Sequence, residues 1–259
     1  MYNGRRFRGQ KGNSGLQPVP ASASCAPPFL EGLEESTQSL ERMTRETSYS
    51  RGAVLFIEGQ PSQGVMVIVS GRVKLSTASA DGRTIIVRMA GPGEVLGLSA
   101  TVVGRPCELT AETLEATRIK IIPRESFRQW LRAHPELAFQ IAQELAEEYN
   151  NTCQQLRTML LSPTAAQRLA HTLLQLLRNA GPGKEACVQF SLTHQEIAEM
   201  IGSSRETATR LLTTFRHKGM IEIEGSRLTV RNREALRKLA EKSCVPTPTG
   251  IRLLGRNRA

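Results

Sequence analysis

The sequence predicts an α+β chain in which a β jelly-roll barrel and a winged helix-turn-helix are joined by one long helix. Three observations carry this prediction. Glycines at 59, 71, 82, 93 and 104 punctuate short β-branched runs at intervals of 12, 11, 11 and 11 residues, the spacing of antiparallel strands folding back on one another. Beyond Pro135 apolar residues recur every three or four positions as far as Pro163, the period of a helix. Two short helical segments then flank Gly202 and are followed by two strand-like runs, the order of a helix-turn-helix with a wing. A length of 259 residues accommodates two such cores and their tails.

Residues 1–28 combine Gly, Ser, Pro and Ala with Arg5, Arg6, Arg8 and Lys11, too little apolar surface to bury, and are expected to be a disordered basic tail. The basic residues are followed by no apolar core, so the segment does not read as a secretory signal. Residues 29–134 are assigned to the barrel with short flanking helices. Its strands are the runs Val54 to Ile57, Val65 to Val69, Val73 to Leu75, Ile85 to Val87 and Val95 to Leu98, then Leu109 to Leu114 and Ile119 to Ile122. The pairs Glu58-Gly59, Ser70-Gly71, Asp81-Gly82, Pro92-Gly93 and Val103-Gly104 supply the turns.

Residues 135–162 form the long helix, with Leu137, Ile141, Leu145, Tyr149, Thr152, Leu156 and Met159 along one stripe. So narrow a stripe suits a coiled-coil seam between two copies of the chain; the competing account packs it on the helix's own barrel. A homodimer is the expectation. Residues 163–241 make the C-terminal domain, opened by Pro163 and a helix carrying Leu169, Leu173, Leu176 and Leu177 that closes at Asn179 and Gly181-Pro182-Gly183. Residues 242–259, with Pro246, Pro248 and Gly250, read as a flexible basic tail.

Charge is distributed unevenly. Residues 163–259 hold 16 basic and 8 acidic side chains, residues 29–162 hold 14 and 16, and residues 1–28 hold 4 and none. A basic C-terminal third matches a polyanionic partner, since basic side chains displace counterions from phosphate backbones; a face kept basic for solubility is the plainer account. No run of about 18 apolar residues exists to span a membrane, and a cytoplasmic protein is expected. Cys25, Cys107, Cys153, Cys187 and Cys244 are odd in number and never spaced C-x-x-C, which excludes a zinc ribbon and argues against a disulfide framework. His134, His171, His194 and His217 all fall outside the barrel, so a metal-binding barrel enzyme is excluded. No nucleophile motif or phosphate loop is present; neither a catalytic nor a metal site, nor a cofactor, is expected.

The chemistry is concentrated between Thr193 and Gly219. Thr193-His194-Gln195-Glu196 has the form of a capping box and starts a short helix with Ile197, Ala198 and Ile201 on its apolar side. Gly202 makes the turn. Ser203 or Ser204 caps a second helix through Ala208, Leu211, Leu212 and Phe215, which stops at Lys218-Gly219. The N-terminal end of that second helix is the part able to enter a major groove, and it presents Ser204, Arg205, Glu206, Thr207, Thr209 and Arg210. Arg205 and Arg210 can each offer a forked guanidinium to guanine O6 and N7, and Glu206 can accept from cytosine N4. The plainer accounts are a dipole-favoured carboxylate at Glu206 and a solvated charge at Arg210. Gln195, like Thr193, lies at the start of the preceding helix within reach of the same groove. Met220 to Glu224 and Arg227 to Val230, joined by Gly225-Ser226, read as the wing.

The order of barrel, long helix and winged helix, with Ser204-Arg205-Glu206-Thr207-Ala208-Thr209-Arg210 opening the second helix of the motif, resembles the Crp/Fnr family over roughly residues 46–240. The resemblance implies a cyclic-nucleotide-binding-like sensor barrel, dimerisation along the long helix and sequence-specific binding of double-stranded DNA. It also implies that Arg205, Glu206 and Arg210 read a TGTGA-like half-site, that Thr193 touches phosphate, and that RNA polymerase is a partner. Family members that bind cyclic AMP carry a Gly-Glu pair for the ribose and, about ten residues on, an Arg-Ser or Arg-Ala pair for the phosphate. Here the matching residues are Gly97-Leu98 and Arg105-Pro106-Cys107-Glu108, so leucine replaces the glutamate and Cys107 or Glu108 falls where the arginine belongs. A carboxylate there repels a phosphodiester. A second register pairs Gly93-Glu94 with Arg105 and would restore both charges, leaving open a cyclic-nucleotide response through an atypical pocket. The family's other sensors also fail. Cys25 and Cys107 cannot ligate an iron–sulfur cluster, and no histidine lies in residues 1–133 to hold haem. Cys107 reads as a redox switch or as a small buried thiol. The effector is therefore unidentified, with cyclic AMP disfavoured. A regulatory cyclic-nucleotide module whose C-terminal domain docks on protein rather than DNA is the remaining alternative, and it offers no account of the basic C-terminal third.

Overall fold

The computed structural model describes residues 34–162, 164–179, 187–188, 192–224 and 227–241. The tails expected at 1–28 and 242–259, Pro163, the Gly181-Pro182-Gly183 turn and the Gly225-Ser226 connection lie outside these residues.

A helix α1 (Glu34–Glu41) leads into eight strands: β1 (Arg45–Tyr49), β2 (Val54–Phe56), β3 (Gly64–Ser70), β4 (Val73–Ala78), β5 (Thr84–Ala90), β6 (Val95–Leu96), β7 (Thr110–Thr113) and β8 (Thr117–Pro123). They form two four-stranded antiparallel sheets, ordered β1-β8-β3-β6 and β2-β7-β4-β5, which is the predicted jelly roll. The apolar run of β3 is unbroken because both of its faces are covered. Met66 and Ile68 point between the sheets with Leu75, Leu96, Ala111 and Ile119. Val65 and Val67 point the other way, under Phe127, Trp130, Leu137 and Ile141, as the two-residue side-chain period of a strand requires.

One strand end and one turn differ from the expectation. The strand expected to run from Val95 to Leu98 ends at Leu96, and Leu98–Val103 is a helix, α2. Gly97 and Gly104 bracket it with φ of 71° and 79°, and the Gly104 N–H donates to the Ala100 carbonyl. Val103-Gly104 is thus a helix end rather than a hairpin, because a left-handed glycine is equally the device that satisfies a terminal helical carbonyl.

Helix α3 (Arg124–Ala133) seals the barrel with Phe127 and Trp130, whose indole Nε1 donates to Ser39 Oγ at 2.7 Å. A single 3-10 turn at Pro135–Leu137 then opens α4 (Ala138–Leu161). The apolar stripe predicted along this helix divides. Leu137 and Ile141 are buried and Leu145 is packed on the barrel, so the first turns lean on their own domain. Phe139, Tyr149, Leu156, Leu160 and Leu161 are exposed at 70%, 69%, 56%, 72% and 67%. The face continues through the exposed Ala142 and Ala146 and the half-buried Cys153, so that 142, 146, 149, 153, 156 and 160 follow steps of four and three, the repeat of a coiled-coil seam.

The C-terminal domain comprises α5 (Ala165–Asn179), β9 (Cys187–Val188), α6 (His194–Met200), α7 (Arg205–His217), β10 (Ile221–Glu224), β11 (Arg227–Val230) and α8 (Arg233–Glu241). The strands form a sheet ordered β10-β11-β9. Helix α8, not foreseen in the sequence, is capped by Asn232, whose Oδ1 accepts from the Ala235 N–H at 2.8 Å. It buries Leu236 and Ala240 in the core that also holds Leu169, Leu173, Ile201, Leu212, Phe215 and Ile221.

Candidate nucleic-acid interface and effector cleft

The helix-turn-helix is built by its caps. Thr193 Oγ1 accepts from the Glu196 N–H at 3.1 Å, and Glu196 Oε2 accepts from the Thr193 N–H at 2.6 Å, the reciprocal pair that the T-x-x-E spacing dictates. Gly202, at φ 55°, turns the chain, and Ser204 Oγ accepts from the Thr207 N–H at 3.2 Å to start α7. Ala208, Leu212 and Phe215 anchor α7 in the core. Helical spacing therefore sends Arg205, Glu206 and Arg210 outward, and all three are exposed. The Glu206 carboxyl is held below its ordinary value by its own backbone N–H and then by the Ser204 hydroxyl. It is thus ionised, a pure acceptor as reading cytosine N4 requires.

The other predicted DNA contacts are more constrained. Thr209 Oγ1 donates to the Arg205 carbonyl at 2.9 Å and is hydrogen-bonded to His194 Nδ1 at 2.9 Å, so this hydroxyl ties α7 to the start of α6. Gln195 Nε2 donates to Glu199 Oε1 at 2.9 Å along α6. Thr207 is half-buried; Thr193 and Ser204 are exposed at the two helix starts, with their hydroxyls donating to Glu196 Oε2 at 2.9 Å and to Thr207 Oγ1 at 3.2 Å.

In the barrel a small cleft of about 40 Å³ is lined by Phe56, Leu75, Arg88, Gly97, Leu98, Cys107, Glu108 and Glu148, among others. Gly97, Leu98, Cys107 and Glu108 are brought together along this cleft. Glu94 and Arg105 do not line the cleft, which corrects the second register. The Glu94 carboxylate closes its own turn, accepting from the Gly91 N–H at 3.1 Å and from Arg88 at 3.2 Å, and Arg105 is exposed beyond the end of α2. Sequence reasoning missed Arg88 and Glu148. Arg88 comes from β5, whose pairing has a bulge, and Glu148 from α4; no local motif announces either residue. The Arg88 guanidinium is shared between Glu94 at 3.2 Å and Glu148 at 3.5 Å. Burial pushes the Glu148 carboxyl up, Arg88 opposes this, and Glu108 and Glu94 add to it. Glu108 itself accepts from Ser99 Oγ at 3.0 Å. Burial, then the Glu108 charge, push the Cys107 thiol up. Of its two sequence readings the geometry favours the buried thiol, since reactivity requires the thiolate.

A barrel with an internal cleft, a long helix and an exposed recognition helix define a class: DNA-binding regulators that carry their sensor domain in the same chain. Residues 46–134 match the family model of the cyclic nucleotide-binding domain, and residues 167–239 that of the Crp-like helix-turn-helix domain. The chain is 30% identical over 215 residues to the CRP-like cAMP-activated global transcriptional regulator of Mycobacterium tuberculosis, covering 82% of this chain and 96% of that one. It is 32% identical over 193 residues to the global nitrogen regulator of Synechocystis, covering 73% and 85%. The structure of FixK2 from Bradyrhizobium japonicum superposes with a TM-score of 0.68 at 25% identity, covering 76% of this chain and 96% of that one. The chain belongs to the Crp/Fnr family of DNA-binding transcription regulators. Among the described residues no helix is long and apolar enough to cross a membrane.

Proposed function

We propose that two copies of this chain join along α4 and read a palindromic DNA site, one recognition helix per half-site. The observation that carries this is the exposed set Arg205, Glu206 and Arg210 on one face of α7. The arginines take guanine and the ionised glutamate takes cytosine. Thr193 and Ser204, exposed at the two helix starts, meet phosphates by turning their hydroxyl hydrogens away from Glu196 Oε2 and Thr207 Oγ1. Gln195, Thr207 and Thr209 set the surface around them, Thr209 by holding α6 against α7. RNA polymerase is the partner and the cytoplasm the location that family membership supports, and the chain regulates rather than catalyses. Selection from a random DNA pool tests the reading. It should return a palindrome with G and C at fixed half-site positions and half-site centres 10–10.5 base pairs apart or a multiple of this; enrichment of single, unrepeated sites would refute it.

The effector is something other than cyclic AMP. The arginine in the cleft, Arg88, is already shared by two carboxylates, and Glu108 and Glu148 line the same wall. A cyclic phosphodiester entering there finds charge of its own sign and would have to break an ion pair to gain a counterion. The residues present do not fit that group, although the relative from M. tuberculosis is named for it. Titration calorimetry with cyclic AMP is expected to give no micromolar binding isotherm. A micromolar Kd that disappears in Arg88→Ala would reverse this conclusion.

A further inference from the structure

The DNA-reading domain is seated on the barrel. Ile86 of β5 is 1% exposed, yet it belongs to the hydrophobic core of the C-terminal domain, with Met89 packed at the edge of the same cluster. Ordinary strand alternation would put Ile86 and Arg88 on one face. The pairing of β4 with β5 prevents it: Leu75 pairs with Arg88 and Ser76 with Ile86, so Val87 is an extra residue in a bulge. The bulge re-aims the side chains on either side of it. Arg88 therefore turns inward with Leu75 to line the cleft, while Ile86 turns outward into the neighbouring domain. Arg51, in the β1–β2 turn, adds a second tie, with its guanidinium 3.6 Å from Glu196 Oε1. Glu196 is the capping-box residue whose other oxygen holds Thr193. Arg168 links the reader to the end of α4, donating to the Ile201 carbonyl within the reader at 2.7 Å and to the carbonyl of Ser162, which caps α4, at 3.1 Å. A Cβ on Gly202 would lie 3.0 Å from Met159 Cε.

We propose that the outer face of β5, with Arg51, is the seat that sets the orientation of the recognition helix, and with it the half-site spacing the dimer accepts. Ile86, Met89 and Arg51 are positioning residues for DNA reading; none lies on the exposed face of α7. The inference rests on the dimeric reading above. Linked readers gain from a second half-site only where their geometry lets both engage together. Each added base pair turns the second half-site by roughly 35°, so a seated reader discriminates sharply among spacers and an unseated one does not. The same bulged segment carries the cleft arginine, so a ligand that draws Arg88 away from Glu94 and Glu148 acts two residues from the seat.

The test is fluorescence anisotropy on palindromes whose half-sites are moved apart one base pair at a time, with a single half-site duplex alongside. The variants are Ile86→Asp, which puts a carboxylate in the seat, and Arg51→Glu, which sets like charges against Glu196 at a half-exposed position that the barrel's fold does not need. Both should lose about tenfold or more in affinity at the preferred spacing, with the spacer profile flattened and half-site affinity unchanged. A sharp profile retained by Arg51→Glu, with its half-site affinity intact, overturns the seat. A flat profile in the parent protein overturns the dimeric reading instead.

Discussion

Replacing Arg210 with alanine should weaken binding to the selected palindrome by roughly 30-fold to more than 10⁴-fold. A bidentate arginine–guanine contact is worth about 1–3 kcal/mol, and a two-fold dimer loses it twice. The fold should hardly notice, because Arg210 is exposed on α7 while Ala208, Leu212 and Phe215 anchor that helix; surface replacements of this kind fall within about 0.5 kcal/mol. Two further arms give the prediction its shape. On non-specific DNA the variant should lose little, since phosphate neutralisation rather than base reading dominates there. Arg210→Lys should not restore the parent's preference at the affected base pair, because a point charge cannot present two parallel donors. Gel shifts on the palindrome, on a form altered at that base pair and on unrelated DNA separate these outcomes. Equal losses on all three would mean that Arg210 serves phosphate and not sequence.

The recognition helix was legible in the sequence because its determinants are local. A capping box, a turn glycine and a hydroxyl cap each act within four residues, and helical spacing then decides what faces outward. The barrel was legible for the related reason that glycines mark the strand ends. What stayed hidden depends on residues far apart in the chain. Arg88 and Glu148 meet only once β5 and α4 are packed, and the bulge at Val87 reverses the face on which Arg88 would be placed by counting. The same limit explains the Glu94 and Arg105 register. Both residues have the right charge at nearly the right separation, yet Glu94 is spent on its own turn and on Arg88, and Arg105 faces solvent. Linear spacing reports chemistry faithfully only where the backbone between two residues is regular.

Leu156→Glu combined with Leu160→Glu should convert the protein to single chains at micromolar concentration. Helix α4 leaves Tyr149, Leu156 and Leu160 69%, 56% and 72% exposed in a single chain. Contiguous apolar surface of this kind marks an interaction site, and these three positions share the heptad stripe completed by Ala142, Ala146 and Cys153. Fully burying a leucine side chain is worth about 1.5–3 kcal/mol; with 56% and 72% of their surface still open, the two leucines of each copy together supply about 4–8 kcal/mol toward association. The double variant removes this and sets four carboxylates facing one another across the seam. Because neither leucine belongs to the core of the barrel or of the reader, thermal unfolding of both should be nearly unchanged, which distinguishes dissociation from misfolding. Sedimentation equilibrium should then give the mass of one chain. Affinity for the palindrome should fall by about 10²–10⁴-fold, the gain that linkage of two readers provides, while affinity for a single half-site is retained because Arg205, Glu206 and Arg210 are untouched. A variant that sediments as the parent does would place the seam elsewhere on the molecule.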